Sequence, residues 1–88
     1  MITYKQAEEK FFPDIEKACS IYLNNKSNPF TMTVSIFSEL DEKFDEIGGN
    51  PANIESFLRT AARNKCVNQL LYLKKLEHVN NESAEVIP

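Results

Sequence analysis

Three stretches of the chain repeat hydrophobic residues every three or four positions, and short polar stretches rich in Asn, Pro or Gly separate them. Because an α-helix has 3.6 residues per turn, this spacing places the hydrophobic residues of each stretch on one face of a helix. The separators are residues 24–29, residues 48–51 and a polar segment from Asn80 to Pro88. The pattern therefore predicts three amphipathic helices joined by two short turns.

The first predicted helix carries a single hydrophobic stripe, formed by Tyr4, Ala7, Phe11, Ile15, Ala18 and Tyr22. Thr3 and Gln6 have the identities and spacing of a capping box, which satisfies free backbone amides at a helix start. Pro13 falls inside the stripe, where its ring removes one backbone hydrogen bond and clashes with the preceding turn. We expect the helix to be kinked at Pro13 or to restart near Phe12.

The second predicted helix has Asn28 as its N-cap and Pro29 as its first residue, an order that suits the fixed backbone angle of proline. It ends at Gly48–Gly49, because glycine readily adopts the left-handed conformation that closes a helix. Its hydrophobic stripe consists of Phe30, Val34, Phe37, Leu40, Phe44 and Ile47.

The third predicted helix is the longest, beginning at Asn50–Pro51 or at Asn53 and fading at Asn80. Its hydrophobic residues are Ile54, Phe57, Leu58, Ala61, Ala62, Cys66, Val67, Leu70, Leu73 and Leu76. We expect the phenylalanines, together with Tyr22 and Tyr72, to lie in the core, because most of them fall on the stripes. Short connections make consecutive helices neighbours, so we predict an all-α fold, an antiparallel bundle of three principal helices.

The chain has 88 residues, which is enough for one small domain. We assign a helical domain to residues 1–79 and a polar tail, or the start of an interdomain linker, to residues 80–88. A core this thin leaves little room for a deep catalytic pocket, so we expect no enzymatic activity and no cofactor.

Candidate chemical groups are sparse. Cys19 and Cys66 lack the close spacing and the histidine partners of a metal site, and we expect two partly buried thiols. His78 has no partners that would make a catalytic triad and is expected at the surface. The first residues lack the apolar stretch of a signal peptide, and no apolar run reaches the ~20 residues of a membrane span. We therefore expect a cytoplasmic protein without a membrane partner.

The net charge of −3 conceals an uneven distribution. Residues 1–47 contain five basic and nine acidic side chains, whereas residues 48–76 contain five basic side chains and one acidic side chain. Since nucleic acids are bound by basic surfaces, the third helix can contact them even though the whole chain is acidic.

The basic helix combines arginines and amides. Arg59 and Arg63 are four residues apart and share a face, Asn64 and Asn68 form a second such pair, and Lys65 lies on the flank. Guanidinium and amide groups bind phosphates and base edges. The alternative is that these side chains only form the solvated face of an amphipathic helix. The acidic residues of the second helix lack the spacing of a calcium loop, and a solvated face is the favoured interpretation for them.

Residues 53–70, and within them the run Ala62-Arg63-Asn64-Lys65-Cys66 after the pair Phe57-Leu58, resemble the third conserved helix of region 2 in bacterial RNA polymerase sigma factors. The extracytoplasmic-function group is the most similar. Residues 36–47 and the run from Phe11 to Ile15 resemble the two preceding helices, so the resemblance covers about residues 5–76.

The resemblance implies two partners: the clamp coiled coil of the largest subunit of core RNA polymerase, and the single-stranded −10 promoter element. An anti-sigma protein is a further candidate partner. By the same resemblance, the turn before the third helix forms a pocket for a flipped base and the helix guides the strand. The implied DNA-binding residues are Arg59, Arg63, Asn64, Lys65, Asn68, Gly49, Asn50 and Asn53. The implied polymerase-binding residues are Thr31, Val34, Ser35 and Glu39.

The sequence departs from the family in the helix that binds the polymerase. The family usually has an acidic residue, then Gln-Glu or Gln-Asp, then Phe, whereas this chain has Thr31, Val34, Ser35 and Phe37 at those positions. The turn between the second and third helices is also about three residues longer. Two functions therefore stay open: a sigma region 2-like initiation module, and a helical protein-interaction module that does not read DNA.

Overall fold

The structure is a computed structural model that describes the backbone of residues 1–86 and the side chains of residues 1–78. It consists of α1 (Tyr4–Leu23), α2 (Pro29–Ile47) and α3 (Pro51–Val86), and the described backbone contains no strand. Each helix packs against the other two. This architecture confirms the predicted all-α bundle.

The predicted helix starts are formed as capped ends. The Thr3 side chain accepts a hydrogen bond from the Gln6 amide at 3.2 Å, and the Gln6 side chain accepts one from the Thr3 amide at 2.9 Å. Asn28 caps α2 by accepting hydrogen bonds from two backbone amides, at 2.9 and 3.2 Å. Asn50 does the same for α3, where the Ala52 amide donates at 2.9 Å. These side chains satisfy amides that have no partner inside the helix.

Two features of the helices differ from the prediction: the course of α1 at Pro13 and the end of α3. α1 runs without interruption through Pro13, so the restart expected near Phe12 does not occur. Glu9, whose carbonyl loses its usual partner at Pro13, lies with Pro13 on the exposed side of α1. Water can satisfy a carbonyl on that side, which reduces the cost of the proline. α3 continues beyond Asn80 to Val86.

Interhelical contacts give the direction of each helix. The Tyr4 hydroxyl at the start of α1 donates to the Phe37 carbonyl at 3.1 Å, and the Tyr4 ring lies edge-on to the Phe44 ring. α1 therefore begins beside the second half of α2. Lys43, late in α2, lies over the ring of Phe57, early in α3. Both adjacent pairs are thus antiparallel, as predicted.

The core is formed by twelve buried hydrophobic residues: Ala7, Phe11, Ile15, Cys19, Leu23, Ile36, Phe37, Leu40, Ile54, Leu58, Ala62 and Cys66. Thr33 is also fully buried, and its hydroxyl donates to the Pro29 carbonyl at 2.7 Å. That hydrogen bond satisfies the hydroxyl inside the bundle, so a polar residue is tolerated there.

Several predicted core residues lie at the surface. Phe30 and Tyr72 are each 56% exposed, and Tyr22, Val34 and Val67 are also exposed. The hydrophobic stripes are wider than the contact faces, and neighbours on the same helix, such as Leu23 and Ile36, occupy the core instead. Periodicity locates an apolar face but does not say which edge of it meets another helix.

The two cysteines face each other across α1 and α3. Cys19 and Cys66 are free and fully buried, whereas the sequence predicted only partial burial. Burial, and to a lesser degree the adjacent Cys19 thiol, raises the pKa of Cys66 from 9.0 to about 12. A thiol that stays protonated is a poor nucleophile and metal ligand at neutral pH.

Leu40→Ala is expected to lower the free energy of unfolding by about 2–5 kcal/mol, because it removes a fully buried side chain and leaves a cavity. Leu71→Ala is the matched control, since Leu71 is 59% exposed and should change stability by less than about 0.5 kcal/mol. Urea unfolding followed by circular dichroism measures both. Equal losses in the two variants would contradict the described core.

The free energy of unfolding is expected to fall as the pH rises from about 9 towards 12, because the unfolded Cys66 thiol ionises while the folded one keeps its proton. Tyr4 acts in the same direction, because burial and the nearby Glu8 carboxylate raise its pKa from 10.0 to about 12. Urea titrations at several pH values measure the slope. Cys66→Ala should make it shallower, and an unchanged slope would argue against the buried thiol.

Candidate protein-binding and nucleic-acid-binding surfaces

An open groove of about 680 Å³ runs along the outer side of α2, and we call it the α2 groove. All four residues implied in polymerase binding line it, namely Thr31, Val34, Ser35 and Glu39. The remaining lining residues are Ser38, Glu42, Lys43 and, from α3, Lys65. Positions spaced three or four apart on a helix share a face, so α2 presents these side chains together.

Glu39 is the electrostatic centre of the α2 groove. One carboxylate oxygen lies 3.1 Å from the Lys65 ammonium of α3, and the other lies 3.7 Å from the Lys43 ammonium one turn along α2. About a third of the Glu39 and Lys65 side chains is exposed, so water screens the pair and its contribution to stability is at most about 1 kcal/mol. Such a pair can be exchanged for contacts with a partner.

The turn between α2 and α3 is fixed by backbone contacts. Gly48 has a φ of 79°, which glycine adopts without strain. A side chain at Gly49 would lie 2.6 Å from the Ile2 carbonyl oxygen, and the Ile2 amide donates to the Gly49 carbonyl at 2.8 Å. The close approach of the N-terminal segment thus explains why Gly49 must be glycine, independently of any role in binding.

Asn50, just before α3, and Asn53, in the first turn of α3, differ in their availability. The Asn50 side-chain oxygen accepts hydrogen bonds from the Ala52 and Asn53 amides at the start of α3. Asn53 lies one residue before the first buried position of α3, and its side chain is exposed. Asn53 is therefore better placed than Asn50 to contact a ligand.

The candidate residues on α3 form two surfaces. Arg59 and Asn68 are nine residues apart, which is two and a half helical turns, so they lie on opposite sides of α3. On the first surface, Arg63 is exposed and Arg59 makes a salt bridge to Glu55 at 3.1 Å. On the second, Lys65 pairs with Glu39 and Asn68 lies beside α2. Asn64 is exposed one turn before Asn68.

Two depressions were not predicted from the sequence. A polar crevice of about 350 Å³ lies between α2 and α3 and is lined by Met32, Ser35, Lys65, Asn68 and Gln69. An apolar depression lies between α1 and α2 and is lined by Glu8, Glu9, Phe12, Pro13, Phe30 and Val34. Each depends on side chains from two helices, and hydrophobic periodicity carries no signal for such a combination.

The described side chains offer no site for catalysis by a metal. They include no cluster of three or more His, Cys, Asp or Glu residues that could hold a metal ion. His78 is exposed, as expected, and Cys66 is held protonated by burial. None of the described helices is long and apolar enough to cross a membrane.

Comparisons with known proteins do not identify a family. The chain matches no protein-family model, and no curated protein or solved structure matches it.

Proposed function

We propose that the chain is a transcription initiation module that acts like region 2 of a bacterial sigma factor. In this proposal the α2 groove docks on the clamp coiled coil of core RNA polymerase. Residues 48–53, which form the turn and the start of α3, contact the single-stranded −10 promoter element together with the basic part of α3. The module works by binding, without covalent chemistry.

The observation that carries the proposal is the shared location of Thr31, Val34, Ser35 and Glu39. A family resemblance selected these four residues from the sequence, and all four line one open groove. The groove combines an exposed apolar side chain, Val34, with hydroxyls, two carboxylates and two ammonium groups. Protein–protein interfaces commonly combine an apolar centre with a polar rim.

The placement of the DNA-binding candidates supports the second half of the proposal. The turn and α3 hold six of these candidates at exposed positions with side chains that can donate hydrogen bonds: Asn50, Asn53, Arg59, Arg63, Asn64 and Asn68. The stretch of α3 up to residue 76 is also the basic part of an acidic chain, with five basic side chains and one acidic side chain. Arginines bind the phosphates of a single strand, while amides in a turn can read an unpaired base.

A second candidate function is a helical protein-interaction module that does not read DNA. It is favoured by the pairing of Arg59 with Glu55 and of Lys65 with Glu39, since both pairs reduce the positive charge available to phosphates. In that case the α2 groove binds a protein partner and α3 only supports the bundle.

Ser35→Arg is expected to weaken binding to purified core RNA polymerase at least about tenfold, because a long charged side chain fills the α2 groove. Ser56→Arg is the matched control, since Ser56 is an exposed serine of α3 that does not line the groove. Biolayer interferometry with the immobilised chain measures both affinities. Absence of binding by the unmodified chain would refute the polymerase assignment, and equal weakening would refute the groove.

Arg63→Ala is expected to weaken binding to a fluorescent single-stranded −10 oligonucleotide and to lower the log–log salt slope by about 0.7, the value for one lost phosphate contact. Lys17→Ala removes one positive charge from the acidic half and should leave the slope nearly unchanged. Fluorescence anisotropy at several salt concentrations measures both. If the unmodified chain binds the polymerase but no oligonucleotide, the protein-interaction function is the correct one.

A further inference from the structure

The polar crevice between α2 and α3 has the composition of an anion site. Four of its five lining residues carry side-chain donors, an ammonium at Lys65, amides at Asn68 and Gln69, and a hydroxyl at Ser35. No carboxylate is among the described residues that line it. The Gln69 amide nitrogen donates one long hydrogen bond, 3.5 Å, to the Ser27 hydroxyl in the turn between α1 and α2, which leaves its second N–H for a ligand.

A phosphodiester matches these donors. Its two unesterified oxygens share one negative charge and accept hydrogen bonds only, so they suit an ammonium flanked by amides. Lys65 and Asn68 were both implicated in strand binding from the sequence, whereas Gln69 was not. The fold adds Gln69 because α3 presents residues 68 and 69 beside α2, next to Lys65 one turn earlier.

We propose that the crevice binds one phosphate of the single-stranded nucleic acid backbone through Lys65, Asn68 and Gln69, and that Glu39 restrains this binding. The inference rests on the proposed function, since it names where the strand would be held. In the free protein Lys65 lies 3.1 Å from Glu39, so a phosphate must compete with that carboxylate for the ammonium.

Glu39 connects the crevice with the α2 groove. Ser35 and Lys65 line both depressions, and Glu39 lines the groove. When a basic group of a docked protein partner pairs with Glu39, the Lys65 ammonium is released and can bind the phosphate. Because coupling between two binding sites is reciprocal, the strand also strengthens docking at the groove. The exposed pair limits this coupling to about a two- to fivefold change in affinity.

The test measures the affinity of the whole chain for a fluorescent single-stranded −10 oligonucleotide. Asn68→Ala and Gln69→Ala are each expected to weaken binding about threefold to tenfold, the loss for one typical hydrogen bond. Thr60→Ala changes an exposed polar residue of α3 outside the crevice and should have no such effect.

The salt dependence of the same binding tests the charge of Lys65. Lys65→Gln should lower the log–log salt slope by about 0.7. Lys74→Gln removes the same charge from the opposite side of α3 and should lower it less.

The role of Glu39 needs a double-mutant cycle. Glu39→Gln should strengthen oligonucleotide binding about two- to fivefold, more than Glu42→Gln, which removes the same charge one turn along the groove. In a Lys65→Gln background the additional gain from Glu39→Gln should disappear, because the released ammonium is missing.

The outcomes separate this inference from the proposed function. If the unmodified chain binds the oligonucleotide but the Asn68, Gln69 and Lys65 variants match their controls, the crevice inference is wrong and the proposed function stands. If the unmodified chain does not bind the oligonucleotide, both are wrong. NMR titration with inorganic phosphate provides the last arm: shifts of the Asn68 and Gln69 side-chain amides without oligonucleotide binding would show a site for free phosphate and overturn the assignment to a strand.

Discussion

The burial of one row of hydrophobic side chains on each of α1 and α3 is the constraint on which the bundle depends. In both helices the buried residues recur every four positions, at Ala7, Phe11, Ile15, Cys19 and Leu23 in α1 and at Ile54, Leu58, Ala62 and Cys66 in α3. Alanine and cysteine within these rows let two helix backbones approach closely. α2 then closes the third side with Ile36, Phe37 and Leu40. No single helix could bury its apolar face alone, so the fold is cooperative.

The packing of α2 against α3 determines which polar side chains meet. Once α2 and α3 are antiparallel and in contact, Glu39 faces Lys65, and residues of both helices enclose the α2 groove and the polar crevice. The basic charge of α3 is thereby divided between a surface at Arg59 and Arg63 and a surface beside α2. A ligand that uses both surfaces must wrap around α3, whereas a shorter ligand can use only one.

Local features of the site were readable from the sequence to different degrees. The caps at Thr3 and Asn28 follow from residue identity, because the amides they satisfy lie within three residues. For α3 the sequence left Asn50 and Asn53 open, and the structure shows the cap at Asn50. The shared face of Thr31, Val34, Ser35 and Glu39 follows from helical spacing. The need for glycine at residue 49 does not, since it arises from contact with Ile2, 47 positions away in the chain.

The sequence by itself determined three amphipathic helices, their capped starts, and the concentration of basic residues in the last one, because each of these depends on neighbours within about two turns. Only the tertiary structure decided which edge of each apolar stripe is buried, so that Ile36 rather than Phe30 lies in the core. Only the tertiary structure joined Glu39 to Lys65 and Gln69 to Ser27. The reason is physical: periodicity specifies the direction of a side chain around its own helix axis, and the partner it meets is specified by how the axes pack.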